Sequence, residues 1–358
     1  MAEESVPMQE HQNNEENTSS EDSNNNELFE HHRIKADPGQ ELLRIDKFLM
    51  DRLPNTTRSK IQDAAKNGSV LVNGKAVKQN YKIKPNDDIS IVLPYPVREI
   101  ELVPEDIPID IAYEDDQLVV VNKPSSMVVH PGFGNYTGTL LNALAFHFEN
   151  LPSMPENYYG RPGLVHRLDK HTTGLVVIAK TEHALTHLAK QFFDRTTERR
   201  YWALVWGDVK EDGTVTGNLG RSLKNRKIVT VFPDGVMGKH AVTHYKVIQR
   251  YGYVTLVECK LETGRTHQIR VHMKYIGHPL FGDLEYGGDR ILKGTTNAKY
   301  KRFIENCFGL IDGQALHAKT LGFQHPTKNE YVQLNSDLPE GFQGILDKWA
   351  KYTGIDDE

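Results

Sequence analysis

The 358-residue chain is poor in cysteine: it has two, Cys259 and Cys307, far apart in the sequence. They form neither a CxxC pair nor a disulfide framework, which fits a reducing compartment, and a cytoplasmic location is expected. There is no apolar run long enough to cross a bilayer. The start of the chain has no basic stretch leading into an apolar one, so no secretory signal is expected. The chain also lacks a P-loop, a GxGxxG after a strand and a GxSxG elbow. His267 and His272 are five apart, which is not the HExxH of a zinc protease. No HxE is paired with a PCxxC, as a zinc base deaminase would need. These absences leave nucleotide-cofactor, metal and serine-nucleophile chemistry without support, and no cofactor or metal is expected.

Positive charge is missing from one place only. Residues 1–32 carry nine acidic residues and no Lys or Arg, so the formal net charge of −5 hides a body of net +4. Residues 33–94 hold twelve Lys or Arg against seven Asp or Glu. A basic segment suggests a polyanionic partner, although a solvated charged surface has the same composition. Residues 1–33 are mostly Glu, Asn, Gln and Ser; too little apolar surface is available to fold, and disorder is expected. Asp356-Asp357-Glu358 reads as a short acidic tail.

The basic segment has an internal plan. RIDKFLMDRL places Ile45, Phe48, Leu49 and Leu53 on a helical stripe. A second helix is expected from a cap at Thr56 or Thr57 to Gly68, with Arg58, Lys60 and Lys66 beside Ile61, Ala64 and Ala65. Asn73-Gly74 in SVLVNGKAV predicts a hairpin, and DISIVL (88–93) a closing strand. Helix, basic helix and hairpin make a unit over 44–93 suited to gripping phosphates. Residues 94–108, rich in Pro and charge, read as a linker. A longer α+β domain is expected over 109–340.

Four stretches of the longer domain carry candidate chemistry. VVVNKPSSMVVHPG (119–132) runs from strand to turn, and Thr139 opens an apolar helix; closing the fold is sufficient reason for it. In VHRLDKHTTGLVVIAK, Thr172-Thr173-Gly174 makes a tight turn into an apolar strand and holds Arg167-Leu168-Asp169 rigidly at a sheet end. Charges there are costly to dehydrate unless paired or working. In isolation such a triplet also reads as a surface ion pair. In ERRYWALVWG, Tyr201 enters a strand after two arginines; its ring can stack on a base and its hydroxyl can reach a proton, though a core or edge tyrosine is the commoner use. In LVECKLETGRTHQIRVHM, Thr266 can cap a helix whose apolar side holds Ile269, Met273 and Ile276. His267, Arg270 and Lys274 fall on another side, where Arg270 can meet an acidic group elsewhere or simply face water.

HRLDKHTTGL, RRYWALVWG, TGRTHQIRVHM with GHPLFGD, and LHAKTLGFQHP (316–326) occur in that order. Together they resemble the large-subunit ribosomal RNA pseudouridine synthases of the RluA type. The front unit resembles the small RNA-binding domain of ribosomal small-subunit protein four, an arrangement similar to the RluD-like branch. Thr173 stands where the family usually has Ser, and His171 where Asp or Asn is common; neither change removes a catalytic group. Residues 290–314 form a less recognisable insertion.

The resemblance implies an α+β fold: a small RNA-binding helix-hairpin domain, then a pseudouridine synthase domain with a central mixed, largely antiparallel sheet. It implies Asp169 as the essential aspartate, Tyr201 as the ring that stacks on the target uracil, and Arg270 as the basic partner of Asp169. Arg58, Lys60, Lys66, His166, Arg167 and Arg265 are expected to steer RNA or brace the site. The expected partner is large-subunit ribosomal RNA or a ribosomal particle, with no membrane. Two rivals remain: a catalytically inactive RNA-binding protein, and an RNA glycosidase or nuclease that uses Asp169 with a histidine.

Overall fold

The run Thr173–Ala179 is buried at every position, unusual for a strand of an antiparallel sheet and explained by what covers it. Val176 and Ile178 join a core with Leu140, Leu141 and Leu144 from one helix and Ile269 and Met273 from another. Leu175, Val177 and Ala179 point the other way, into a core with Ala184, Leu185 and Leu188. Helices on both faces thus account for the continuous apolar run.

This arrangement is seen in a computed structural model of the chain, which describes residues 28–53, 56, 58–93, 102–132, 134–152, 161–225 and 228–355. The chain divides into two compact units, Met1–Glu99 and Ile100–Glu358. The first contains β1 (Phe29–Lys35), β2 (Leu43–Arg44), α1 (Ile45–Met50), α2 (Arg58–Lys66), β3 (Val70–Val72), β4 (Lys75–Ala76), β5 (Lys82–Ile83) and β6 (Asp88–Leu93). Its main sheet runs β1-β6-β3-β4, with β2 and β5 as a separate pair. Ile45, Phe48 and Leu49 of α1 pack with Ile61 and Ala65 of α2 over Val70, Val72 and Ile89. Asn73 and Gly74 take positive φ, 50° and 77°, as the hairpin turn between β3 and β4 requires. Asp46 is fully buried and accepts from Arg44, Arg58 and Gln62, at 3.0, 3.0 and 2.8 Å, so α1 and α2 share one carboxylate.

The expectation of disorder through residue 33 needs correction from Phe29 onward. Phe29–Lys35 pairs antiparallel with β6, and Arg33 grips Asp88 at 2.6 Å. Only Phe29 and Ile34 are large apolar residues in that strand, so composition gave no signal; the ladder is held chiefly by backbone hydrogen bonds along the open edge of β6. Residues 1–27 of the acidic segment, the residues 94–101 expected as a linker, and Asp356–Glu358 lie outside the described residues, as does Thr57.

The second unit contains β7 (Ile111–Glu114), β8 (Leu118–Lys123), α3 (Leu140–His147), β9 (Thr173–Ala179), α4 (Glu182–Asp194), β10 (Glu198–Trp206), β11 (Gly213–Arg221), β12 (Val229–Phe232), β13 (Lys239–Arg250), β14 (Val254–Leu261), α5 (Gln268–Tyr275), α6 (Ala298–Phe308), β15 (Leu316–Gln324), β16 (Tyr331–Asn335) and α7 (Glu340–Thr353). Its sheet follows the order β12-β11-β13-β14-β10-β15-β9-β8-β7, with β16 also on β15. Every described pairing is antiparallel except β9 with β15, so the sheet is mixed and largely antiparallel. That α+β architecture is the expected one. The unit runs past residue 340: Phe342, Ile345, Leu346 and Trp349 of α7 bury against Tyr300 and Ile304 of α6 and against Trp206 and Phe281. Their i, i+3, i+4, i+7 spacing marks a core-facing helix that the expected boundary cut off.

Among the described residues, no helix is long and apolar enough to cross a membrane. Both cysteines are buried and free.

Candidate active site

Asp169 sits in the turn that leads into β9. Thr172 N–H donates to the Asp169 carbonyl at 3.1 Å, and the buried Leu168 anchors the other side. Gly174 fixes where this turn meets the sheet. Its φ is 104°, and a Cβ there would lie 2.4 Å from the Ala318 carbonyl oxygen, at the point where β9 and β15 run parallel. Only glycine allows that approach without moving backbone. Thr173 adds a side-chain link, with Oγ1 2.8 Å from Nδ1 of the buried His317.

Arg270 reaches Asp169 from α5. Nη1 donates to Asp169 Oδ2 at 3.2 Å. Nε and Nη2 donate to the two oxygens of the fully buried Asp283 at 2.7 and 2.8 Å, a bidentate fork. Nη2 also donates to Glu285 at 2.6 Å, and the guanidinium lies 4.9 Å from the Tyr286 ring centre. Asp283 is itself fixed, because Oδ1 accepts the Glu285 and Tyr286 amides at 3.1 Å each. Burial works against the Arg270 charge. The Asp283 hydrogen bonds, with Asp283, Asp169 and Glu285 as opposite charges, outweigh it and raise the pKa further. Of the two possibilities left open for Arg270, the structure selects the acidic partner: the side chain is 5 % exposed.

The turn before α5 differs from expectation. Thr266 does not cap the helix. His267 occupies the cap position with φ 55°, a left-handed conformation costly for a residue with a Cβ. Gln268 organises the turn instead. Its oxygen accepts from Thr263 Oγ1 at 2.7 Å and from the Arg265 amide at 3.0 Å, and its nitrogen donates to the Val242 carbonyl at 2.9 Å. The strained backbone aims His267 at the acid: Nε2 lies 3.9 Å from Asp169 Oδ1, while Nδ1 is 2.9 Å from the Tyr286 hydroxyl. Burial lowers the His267 pKa, against the pull of Asp169.

Tyr201 lies on β10, buried, just beyond a register irregularity with β15. It lines a cleft of about 830 Å³ together with Asp169, Arg270, Leu164, Ile269 and Leu316. Burial raises the phenol pKa, so the ring enters this cleft with its proton on.

Two residues that the sequence did not single out complete the surroundings. Lys123, at the end of β8, is buried, and Nζ donates to the carbonyls of Pro124, Met127 and Lys170 at 2.7, 2.8 and 3.0 Å. Three carbonyls match the three protons of an ammonium. Burial pulls its pKa down to about 7, with Asp169 pulling the other way. A lysine inside VVVNKP was the available signal. The other is Asp283, present in GHPLFGD with nothing in its spacing to say that it would hold Arg270.

The expected RNA-contact residues divide. Arg167 is exposed and lines the cleft. Arg265 also lines it and donates through Nε to the His240 carbonyl at 3.2 Å. His166 is committed to the fold: Nε2 accepts the Val177 amide at 3.0 Å and the ring stacks on Phe192 at 4.5 Å. Burial, with Arg199 nearby, pushes its pKa down to about 3. In the first unit, Lys60 and Lys66 are exposed on α2, while Arg58 shares Asp46. Among the described residues no cluster of three or more His, Cys, Asp or Glu is arranged to hold a metal ion.

Asp169 on its sheet-end turn, the buried Arg270 that donates to it and Tyr201 thus line one cleft. Residues 117–275 match the family model described as RNA pseudouridylate synthase, and residues 43–89 match the S4 domain model. The chain is 48% identical over 311 residues to an uncharacterized RNA pseudouridine synthase of Chlorobaculum parvum, covering 86% of this chain and 94% of that one. It is 44% identical to an uncharacterized RNA pseudouridine synthase of Bacillus subtilis, covering 89% and 98%. It is 41% identical to the ribosomal large subunit pseudouridine synthase D of Neisseria meningitidis serogroup B, covering 87% and 80%. Among solved structures, human RNA pseudouridylate synthase domain containing 4 superposes with a TM-score of 0.51 at 27% identity, covering 67% of this chain and 92% of that one. The chain belongs to the RNA pseudouridine synthase family: an isomerase with an S4 domain in front of its catalytic domain.

Proposed function

We propose that this enzyme isomerises particular uridines of large-subunit ribosomal RNA, as free RNA or within a ribosomal particle, in the cytoplasm. The observation that carries the reading is the Asp169–Arg270–Asp283 chain at the wall of the Tyr201 cleft. The Neisseria relative, a ribosomal large subunit pseudouridine synthase D, supports the large-subunit substrate.

In the proposed reaction the target uridine leaves the stack, at a cost of a few kcal/mol, and enters the cleft. The N1–C1′ bond breaks with its electron pair left on the uracil, the uracil turns, C5 bonds to C1′, and the proton lost from C5 is matched by one gained at N1, so the product is an isomer. Asp169 serves as nucleophile or charge stabiliser, with the Arg270 guanidinium 3.2 Å away as its partner. Tyr201 stacks on the uracil and holds it during rotation. Its phenol is neutral, so it takes up the C5 proton only by passing its own proton on. Arg167 and Arg265 at the cleft, with Arg58, Lys60 and Lys66 on α2, contact the RNA backbone, the last three adding a second grip. His166 braces the β9 side of the cleft.

The test is tritium release from ribosomal RNA labelled at uracil C5, with wild type and Asp169→Ala side by side. Release that disappears in the variant, with the RNA unbroken, is the expected result. Tight binding without release from any RNA or particle would reduce the chain to a binding protein. Strand breaks or free base would assign it to hydrolysis.

A further inference from the structure

Arg199 and Arg200 are neighbours on β10 with opposite circumstances. Arg200 donates to Glu198 at 2.6 Å and to Glu258 at 2.7 Å, and is thoroughly paired. Arg199 points to the other side of the strand and is 8 % exposed. Among the described residues its side chain has no carboxylate partner and makes no hydrogen bond, and the buried Nε–H is unsatisfied. The guanidinium lies 5.5 Å from the Phe192 ring centre. The two amino groups, equally without a partner, open into the cleft, while the enclosed Nε–H is left unmatched at a cost to the fold. Cations are also concentrated around it: Arg167, Lys190, Arg195 and Arg265 line the same cleft. Of the acids lining the cleft, Asp169 is engaged by Arg270, and the exposed Glu262 by His244.

We propose that Arg199 is a phosphate seat, taking the RNA phosphodiester next to the target uridine while Tyr201, two residues along the same face of β10, meets the base. Two strand residues span about 6.7 Å, a separation on the scale of one nucleotide. The geometry fits an anion better than a base edge: the side chain is enclosed, its Nε–H is unmatched and the surrounding cleft is cationic. The charge that destabilises the empty cleft becomes a charge-assisted contact once RNA is present. The inference rests on the proposal that the Tyr201 cleft receives the uridine.

The test uses the full chain and two fluorescein-labelled trinucleotides, UpUpU with natural phosphodiesters and the same sequence with neutral methylphosphonate links, at about 50 mM salt. Wild type is expected to bind the charged form about tenfold more tightly. In Arg199→Met the preference falls to about twofold or less, the neutral form binds as before, and Tm rises by about 2–4 °C because the orphaned Nε–H and its repulsion from the neighbouring cations have gone. Arg199→Lys recovers part of the preference. A preference absent in wild type, or unchanged in Arg199→Met, overturns the proposal. So does a lower Tm with both ligands weakened equally, which would make Arg199 part of the framework. Tritium release separates this from the catalytic reading: an active enzyme with no Arg199-dependent preference loses only the phosphate seat, and an inactive chain that keeps the preference loses only the chemistry.

Discussion

Asp283→Asn changes one oxygen to a nitrogen and tests whether Arg270 is held in place by the acid behind it rather than by Asp169. Asp283 is fully buried and fills both of its oxygens: Oδ2 takes Arg270 Nε at 2.7 Å, and Oδ1 takes Nη2 at 2.8 Å with two backbone amides. An asparagine keeps one acceptor. If its oxygen stays with the backbone amides, its NH₂ faces the Arg270 Nε–H, donor against donor, with no water to absorb the mismatch. One charge-assisted hydrogen bond is lost and one buried donor is orphaned, at a cost of about 3 kcal/mol. With total stability on the order of 10 kcal/mol the variant still folds. Freed from its fork, the guanidinium turns toward Asp169 and Glu285, and the acid is displaced. A misplacement of about 1 Å in such a site costs roughly 10²-fold in rate. Guanidinium unfolding and tritium release at saturating RNA measure the two effects, with the exposed Asp289→Asn as control. Less than about 1 kcal/mol of lost stability together with kcat within about twofold of wild type would refute the reasoning.

Lys123→Met keeps the length and removes the ammonium from three carbonyls; unfolding should show a loss of about 2 kcal/mol or more, with slower tritium release as the Asp169 turn loosens. Gly174→Ala should unfold at markedly lower denaturant than wild type, because its Cβ meets the Ala318 carbonyl at 2.4 Å and φ is 104°; a normal midpoint would show that β15 gives way. The buried His272 and His317 have pKa values pushed down to about 4, mainly by burial. Such depressed groups stabilise the fold fully above their unfolded pKa near 6.5, and the contribution fades as pH falls toward 4, by about 1.4 kcal/mol per pH unit for each. Unfolding midpoints taken from pH 7.5 down to pH 4.5 should fall steeply below pH 6.5, and a flat profile would contradict their burial as neutral rings.

Strong local signals carried most of what the sequence revealed. The Asn73-Gly74 turn, the Ile45/Phe48/Leu49 stripe and the Thr139 cap each depend on neighbours within a few residues, and all three are in the structure as expected. The link between Asp169 and Arg270 spans 101 residues; the residues alone left it open, and the resemblance supplied it. What stayed hidden is tertiary. Asp283, Glu285 and Lys123 are ordinary polar residues until the fold gathers them around Arg270 and Asp169. The Thr266 cap was a sound local expectation that failed because Gln268 reaches back across the turn to Thr263 and Val242. The strand Phe29–Lys35 escaped notice because backbone pairing, not apolar content, holds it.

The way Arg270 is divided among its acids also bears on how Asp169 can react. Asp283 takes the fork, and Glu285, 46 % exposed, takes the shortest single contact at 2.6 Å. Asp169 receives one bond, at 3.2 Å, the longest of the set. An acid locked in a fork with a buried arginine would be anionic but poorly free to move, its lone pairs already committed. Asp169 instead has one contact to the cation and an Oδ1 left without any hydrogen bond among the described residues, 3.9 Å from His267. Because Asp283 supplies the rigidity, Asp169 does not have to. The same division explains why Arg rather than Lys suits position 270: a single ammonium cannot grip Asp283 with two parallel donors and still extend a third, fixed in direction, to Asp169. Arg270→Lys should therefore lose most activity while retaining the positive charge, and tritium release close to wild type would mean that charge alone suffices at this position.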